Sequence, residues 1–136
     1  NNQLRAQAAS LKLGDIVQFA GFRDDLDEFL SCFDLFAHPA RAAGLGVAAL
    51  KASAAGLPVV GFAAGGMVEA VAHEQTGLLV APEDGDALAA AIERLVDDPQ
   101  LAQQFGAAGR QYMQQDFSID TMADRHVELY EDVVNG

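Results

Sequence analysis

The residues with the plainest chemical reading lie between positions 36 and 62, FAHPARAAGLGVAALKASAAGLPVVGF. Within it, Gly44-Leu45-Gly46-Val47 joins a short apolar run to a series of small residues ending near Ala55. Glycine at such a turn lets a ligand approach the backbone, because no Cβ stands in the way. A helix that starts there leaves its first N–H groups without internal partners, and with the helix dipole they suit an anion such as phosphate. Four side chains lie nearby in the chain or its expected fold. Arg41 precedes the turn and can reach a phosphate or an acceptor group. Lys51 shares a helix face with positions 44 and 47 and is donor-only, so it can pair with phosphate or donate to a hydroxyl. His38 sits at the end of the preceding run. Glu69 follows a second glycine turn, Gly65-Gly66. Each also has a plainer explanation: an ordinary strand-to-helix turn, a surface arginine, a snorkelling lysine, a hydrogen-bonded structural histidine, an acid complementing a helix dipole.

The surrounding pattern supplies the elements that would position these residues. Helical spacing predicts a helix over residues 3–11, with Leu4, Ala8 and Leu11 on one face. Short apolar runs predict strands at 16–20, 34–37, 58–62 and 78–80. Between them, helices are expected at 24–30, with acids in the first turn, at about 46–55, stopped by Gly56, and at 67–72. The C-terminal part, 84–134, reads as three helices. The first, at 87–96, carries Leu88, Ala91, Ile92 and Leu95 at helical spacing; the second is opened by Pro99; Ser118 caps the third. Strands alternate with helices and are continuously apolar, which signals a parallel sheet covered on both faces. The expectation is an α/β, Rossmann-like domain occupying 1–136.

Composition narrows the function. The net charge of -12 argues against nucleic acid and against unaided binding to an anionic membrane face. One cysteine, Cys32, excludes an internal disulfide and a cysteine metal cluster. No apolar run reaches the roughly 18 residues of a membrane span. His73 and His126 have no partner at metal-ligand spacing. The serines lack a nucleophile-elbow pattern, and residues 61–66 lack the third glycine spacing of a dinucleotide loop. The acids Asp24, Asp25, Asp27 and Glu28 read as a solvated face.

Four segments in order, GLGVAAL, AAGLPVVG, GGMVEAV and TGLLV, together resemble the donor-binding half of retaining glycosyltransferases of the GT-B fold. This is the large family, glycosyl transferases group 1, that includes sucrose synthases, glycogen synthase relatives and bacterial lipopolysaccharide transferases. VQFAGF near the start and Phe117-Ser118 with the terminal helix are similar too. The resemblance implies transfer of a sugar, with retention, from a nucleotide-diphosphate sugar to an acceptor such as lipopolysaccharide or another glycan. It implies neither metal nor other cofactor. The diphosphate would rest on the amides of Gly44, Leu45, Gly46 and Val47, with Lys51, Arg41, His38 and Glu69 completing the substrate-binding set. The family pattern carries two glutamates about this turn, one beside the donor sugar and one accepting from the ribose hydroxyls. Here those positions hold Ala43 and Lys51, and no catalytic residue is assigned.

The resemblance further implies a sheet of order 3-2-1-4-5-6, with 16–20 as its third strand and the first two strands absent along with their basic pair. An N-terminal acceptor domain is the other expected partner. The chain is thus expected to be an incomplete, inactive part of a longer hexosyltransferase, its sheet completed by another segment or another chain, in the cytoplasm, with peripheral membrane attachment of the parent left open. Two alternatives stand beside this: a non-catalytic nucleotide- or phosphate-binding module, and a structural or interaction domain.

Overall fold

The computed structural model describes residues 2–41, 44 and 46–135. The elements run α1 (Asn2–Ser10), α2 (Leu26–Leu30), β1 (Phe36–His38), α3 (Val47–Ala55), β2 (Val59–Phe62), α4 (Met67–Ala70), β3 (Gly77–Val80), α5 (Gly85–Asp97), α6 (Pro99–Asp116) and α7 (Ile119–Asn135). The three strands are parallel in the order β1-β2-β3, with Phe36 opposite Val59 and Val59 opposite Gly77.

Every residue of β2 is buried, which explains its continuous apolar run: a central parallel strand has helices on both faces. Successive residues feed two cores. Val59 and Leu79 join Leu30, Ala49, Ala52, Met67 and Val71 under α2, α3 and α4. Val60 and Leu78 join Ala91, Leu95 and Phe105 under α5 and α6. The α/β, Rossmann-like arrangement with helices on both faces is therefore present, as a three-stranded sheet.

Local chemistry sets the element ends. Gly56 closes α3 in the left-handed region at φ 87°, a conformation other residues adopt at a cost. Asp84 caps α5 by accepting from the Ala87 amide at 2.9 Å. Asp98 caps α6 in the same way from Leu101 at 3.0 Å, and Pro99 starts that helix with its φ already helical. Ser118 caps α7, its Oγ accepting from the Thr121 amide at 3.0 Å. The small residues of α3 let α6 approach closely: a Cβ on Gly106 would run into the Gly56 carbonyl oxygen.

One expected strand does not form. Residues 16–20 run without strand pairing, and Ile16 is 76% exposed. An isolated strand is not stable in water, because its N–H and C=O groups need a neighbour's. Among the described residues no strand lies beside it. The helix expected at 24–30 is also shorter and begins at Leu26. No helix among the described residues is long and apolar enough to cross a membrane.

Candidate functional site

Parallel strands all point their C-terminal ends the same way, so the loops after β1, β2 and β3 share one edge of the sheet. In open α/β sheets that edge is where ligands bind. The turn before α3 lies on it. Gly46 is the helix N-cap, at φ 66°, and its carbonyl accepts from Ala49 and Leu50 at 2.8 and 3.0 Å. The amides of Val47 and Ala48, in the first turn, have no acceptor among the described residues. These are the donors a helix start offers an anion.

A second glycine turn is tied to the first. The Gly66 amide donates to the Gly44 carbonyl at 2.8 Å. A Cβ on Gly46 would sit 3.6 Å from Met67 Sδ and 3.7 Å from Ala70 Cβ, so Gly46 rests directly on α4. His38, half-buried at the end of β1, faces Gly61 in register and stacks on Phe36 with ring centroids 6.1 Å apart. A Cβ on Gly61 would touch both the His38 carbonyl oxygen and Met67 Cε. His38, the α3 turn and α4 therefore form one contiguous group.

The remaining expected residues are placed as follows. Glu69 is exposed on α4, and its carbonyl accepts from Tyr112 Oη at 3.2 Å. Arg41 forms an exposed ion pair with Glu83 at 3.4 Å, which joins the loop after β1 to the loop after β3. Lys51 extends to α2, where its Nζ donates to Asp27 Oδ1 at 2.9 Å. It also lines a cleft of about 520 Å³ between α3 and α6, with Val47, Leu50, Arg110, Met113 and Phe117. Leu45 and Ala43 lie outside the described residues.

Two participants stand outside the residue set expected from the sequence. Asp27 was one acid in a run that read as a solvated face, and its bond to Lys51 spans 24 residues. Gly66 read only as a turn residue, yet its amide closes onto Gly44. The glycine pair 65–66 was the available signal; nothing local marked Asp27.

With this geometry in view, the likeness to known proteins is specific. The family model for glycosyl transferases group 1 matches residues 1–112. The chain belongs to that family. It is 37% identical over 129 residues to the GDP-mannose-dependent alpha-(1-6)-phosphatidylinositol monomannoside mannosyltransferase of Mycobacterium tuberculosis, covering 88% of this chain and 34% of that protein. Among solved structures, a sucrose-phosphate synthase from Thermosynechococcus elongatus superposes with a TM-score of 0.87 at 34% identity, over 98% of this chain and 34% of that one. The HepE protein of Anabaena, solved in complex with UDP, gives 0.89 at 29% identity, over 96% of this chain and 36% of that one. The chain thus spans about a third of the length of the relatives it matches. Its three-stranded sheet and flanking helices match the corresponding third of these GT-B glycosyltransferase structures.

Proposed function

We propose that this chain is the donor-binding part of a retaining glycosyltransferase, one that moves a sugar from a nucleotide-diphosphate sugar to a lipopolysaccharide or other glycan acceptor. The observation that carries this reading is the closed pair of glycine turns at the start of α3, where Gly66 bonds Gly44 and the Val47 and Ala48 amides have no acceptor among the described residues. Amides held in place before the reaction stabilise charge on a departing diphosphate without reorganising. Gly44, Leu45, Gly46 and Val47 would hold the diphosphate, Arg41 and Lys51 supply positive charge, and His38 and Glu69 lie toward the donor sugar. The acceptor would be held by an N-terminal domain, and the exposed edge of β1 would pair with strands from that longer chain or from another chain. The cytoplasm is the compartment in keeping with a nucleotide-sugar donor.

The relatives support the ligand class. One is described as GDP-mannose-dependent, and another was solved with UDP. The test is calorimetric titration of the full-length parent with UDP, GDP and ADP. Saturable binding of at least one is expected, weakened roughly tenfold in Gly46→Ala, because a side chain strains the left-handed φ of Gly46 that aims the amides following it. No binding of any nucleotide diphosphate, by a full-length parent shown to be folded by circular dichroism, would overturn the reading.

A second reading rests on Lys51. Where the family pattern has a carboxylate, this chain has a cation already paired with Asp27. That favours a module that binds nucleotide or phosphate without catalysis. If Lys51 turns to phosphate on binding, Asp27→Asn should release it and tighten nucleotide-diphosphate binding severalfold. Unchanged affinity in Asp27→Asn would return Lys51 to a surface role. Binding without slow hydrolysis of the nucleotide sugar in the full-length parent would favour the module over the enzyme.

A further inference from the structure

We propose that Tyr112 is a positioning residue that holds the two glycine turns closed from α6. The inference deepens the proposed function and rests on that reading for its consequence in binding, though not for its structural content.

α4 is short, and its own backbone satisfies few of its polar groups. It has four residues, no side-chain hydrogen bond at its N-cap, and a backbone that turns extended at Val71 (φ -129°, ψ 114°). A helix that ends so soon leaves its last carbonyls without helical partners. The Glu69 carbonyl is one of them: no backbone N–H among the described residues reaches it. Tyr112 Oη supplies the missing donor at 3.2 Å, from a position 43 residues further along the chain. The ring that carries this hydroxyl is itself fixed, edge-on to Phe117 with centroids 5.4 Å apart.

The other side of α4 bears on the turn. Gly66, its N-cap, donates to Gly44 at 2.8 Å, and Met67 and Ala70 underlie Gly46. Met67 and Ala70 anchor the inner face of α4 in the core, and Tyr112 holds its outer, C-terminal end opposite the α3 turn. Releasing Glu69 frees one end of the clamp, and the bond at risk is the one between Gly66 and Gly44. Tyr112 meets α4 through the Glu69 backbone and does not reach the α3 turn, where the anion would lie. Its effect passes through α4.

Tyr112→Phe removes the hydroxyl and keeps the ring against Phe117. Amide hydrogen exchange by NMR on the ligand-free chain should show Gly66 exchanging roughly two- to tenfold faster, the range expected for one neutral hydrogen bond. The amides of Val60 and Leu95, buried in the opposite core, should be unchanged. In the same variant UDP binding should weaken by a similar factor. An unchanged Gly66 amide would overturn the proposal. So would equal acceleration of Gly66, Val60 and Leu95, which would mean a loss of global stability and no clamp. If the unsubstituted full-length parent binds no nucleotide diphosphate, the proposed function fails, while the Gly66 exchange rate still decides the role of Tyr112. If UDP binds and Tyr112→Phe leaves both affinity and exchange unaltered, the proposed function stands and the clamp does not.

Discussion

Gly46 and Gly106 are glycines for different reasons, and substitution separates them. Around Gly46 a methyl group meets only ordinary contacts, the nearest at 3.6 Å, so the cost of Gly46→Ala comes from its φ of 66°. That is about 1–2 kcal/mol. At Gly106 a methyl group meets the Gly56 carbonyl, backbone that cannot swing aside. Gly106→Ala should therefore force α3 and α6 apart and cost about 3 kcal/mol. Urea denaturation of the two variants checks the order: Gly106→Ala should have the lower midpoint. Ser53 gives a change of opposite sign. Its hydroxyl is fully buried at the same helix contact and has no hydrogen-bond partner among the described residues. Leaving such a group unsatisfied costs about 1 kcal/mol or more, so Ser53→Ala should raise the unfolding free energy by about that amount and move the midpoint upward. A lowered midpoint would mean that the hydroxyl is satisfied after all.

At the scale of elements, α5 is fastened to the loop before β3 by one ion pair. Arg94 donates to both carboxylate oxygens of Glu74, at 2.6 and 2.9 Å, and Glu74 has a left-handed φ of 61°. Those hydrogen bonds hold the Glu74 carboxyl below the usual glutamate range. The folded value lies below the unfolded one, so the pair's contribution is complete above the ordinary glutamate range and is lost as pH falls through the depressed value. Asp25, bonded by Arg23, titrates in the same sense. Arg94→Gln should therefore lower stability at neutral pH and flatten, without abolishing, its decline in acid; denaturation midpoints against pH report this. Elements of this kind differ in how far they could be read in advance. The start of α6 was legible because Pro99 acts on its own neighbours. The turn before α3 was legible because glycine spacing is local. Residues 16–20 have the composition of a strand, but a strand needs a partner and composition does not report one. Lys51 with Asp27, and Tyr112 with the Glu69 carbonyl, join residues far apart in the chain, and no local pattern pairs them.

At the scale of the whole molecule, α7 stands apart from both cores. It is 17 residues long, yet none of its residues is buried. Met122, Leu129, Tyr130 and Val133 lie along one side of the helix and are all more than half exposed. Asp120, Asp124, Glu128 and Glu131 occupy the other side. Its attachments among the described residues include the Ser118 cap, the Thr121 hydroxyl donating to the Gln115 carbonyl at 2.8 Å and the bond from Arg125 to Asp116 at 2.9 Å, all in the first two turns. Helices of about this length are marginal in water unless an apolar face is covered, and the apolar face here is open. The two ends of α7 should accordingly behave differently. Amides of the last two turns should exchange close to the rate of an unstructured peptide, while those next to Thr121 keep measurable protection. Leu129→Glu, which would cost several kcal/mol at a core position, should leave the thermal midpoint of the chain nearly unchanged, because the residue it replaces buries little surface in the folded state. A midpoint lowered as far as by Leu95→Glu, a substitution in the α5 core, would show that α7 is covered in solution, and concentration dependence of that midpoint would identify a second copy as the cover.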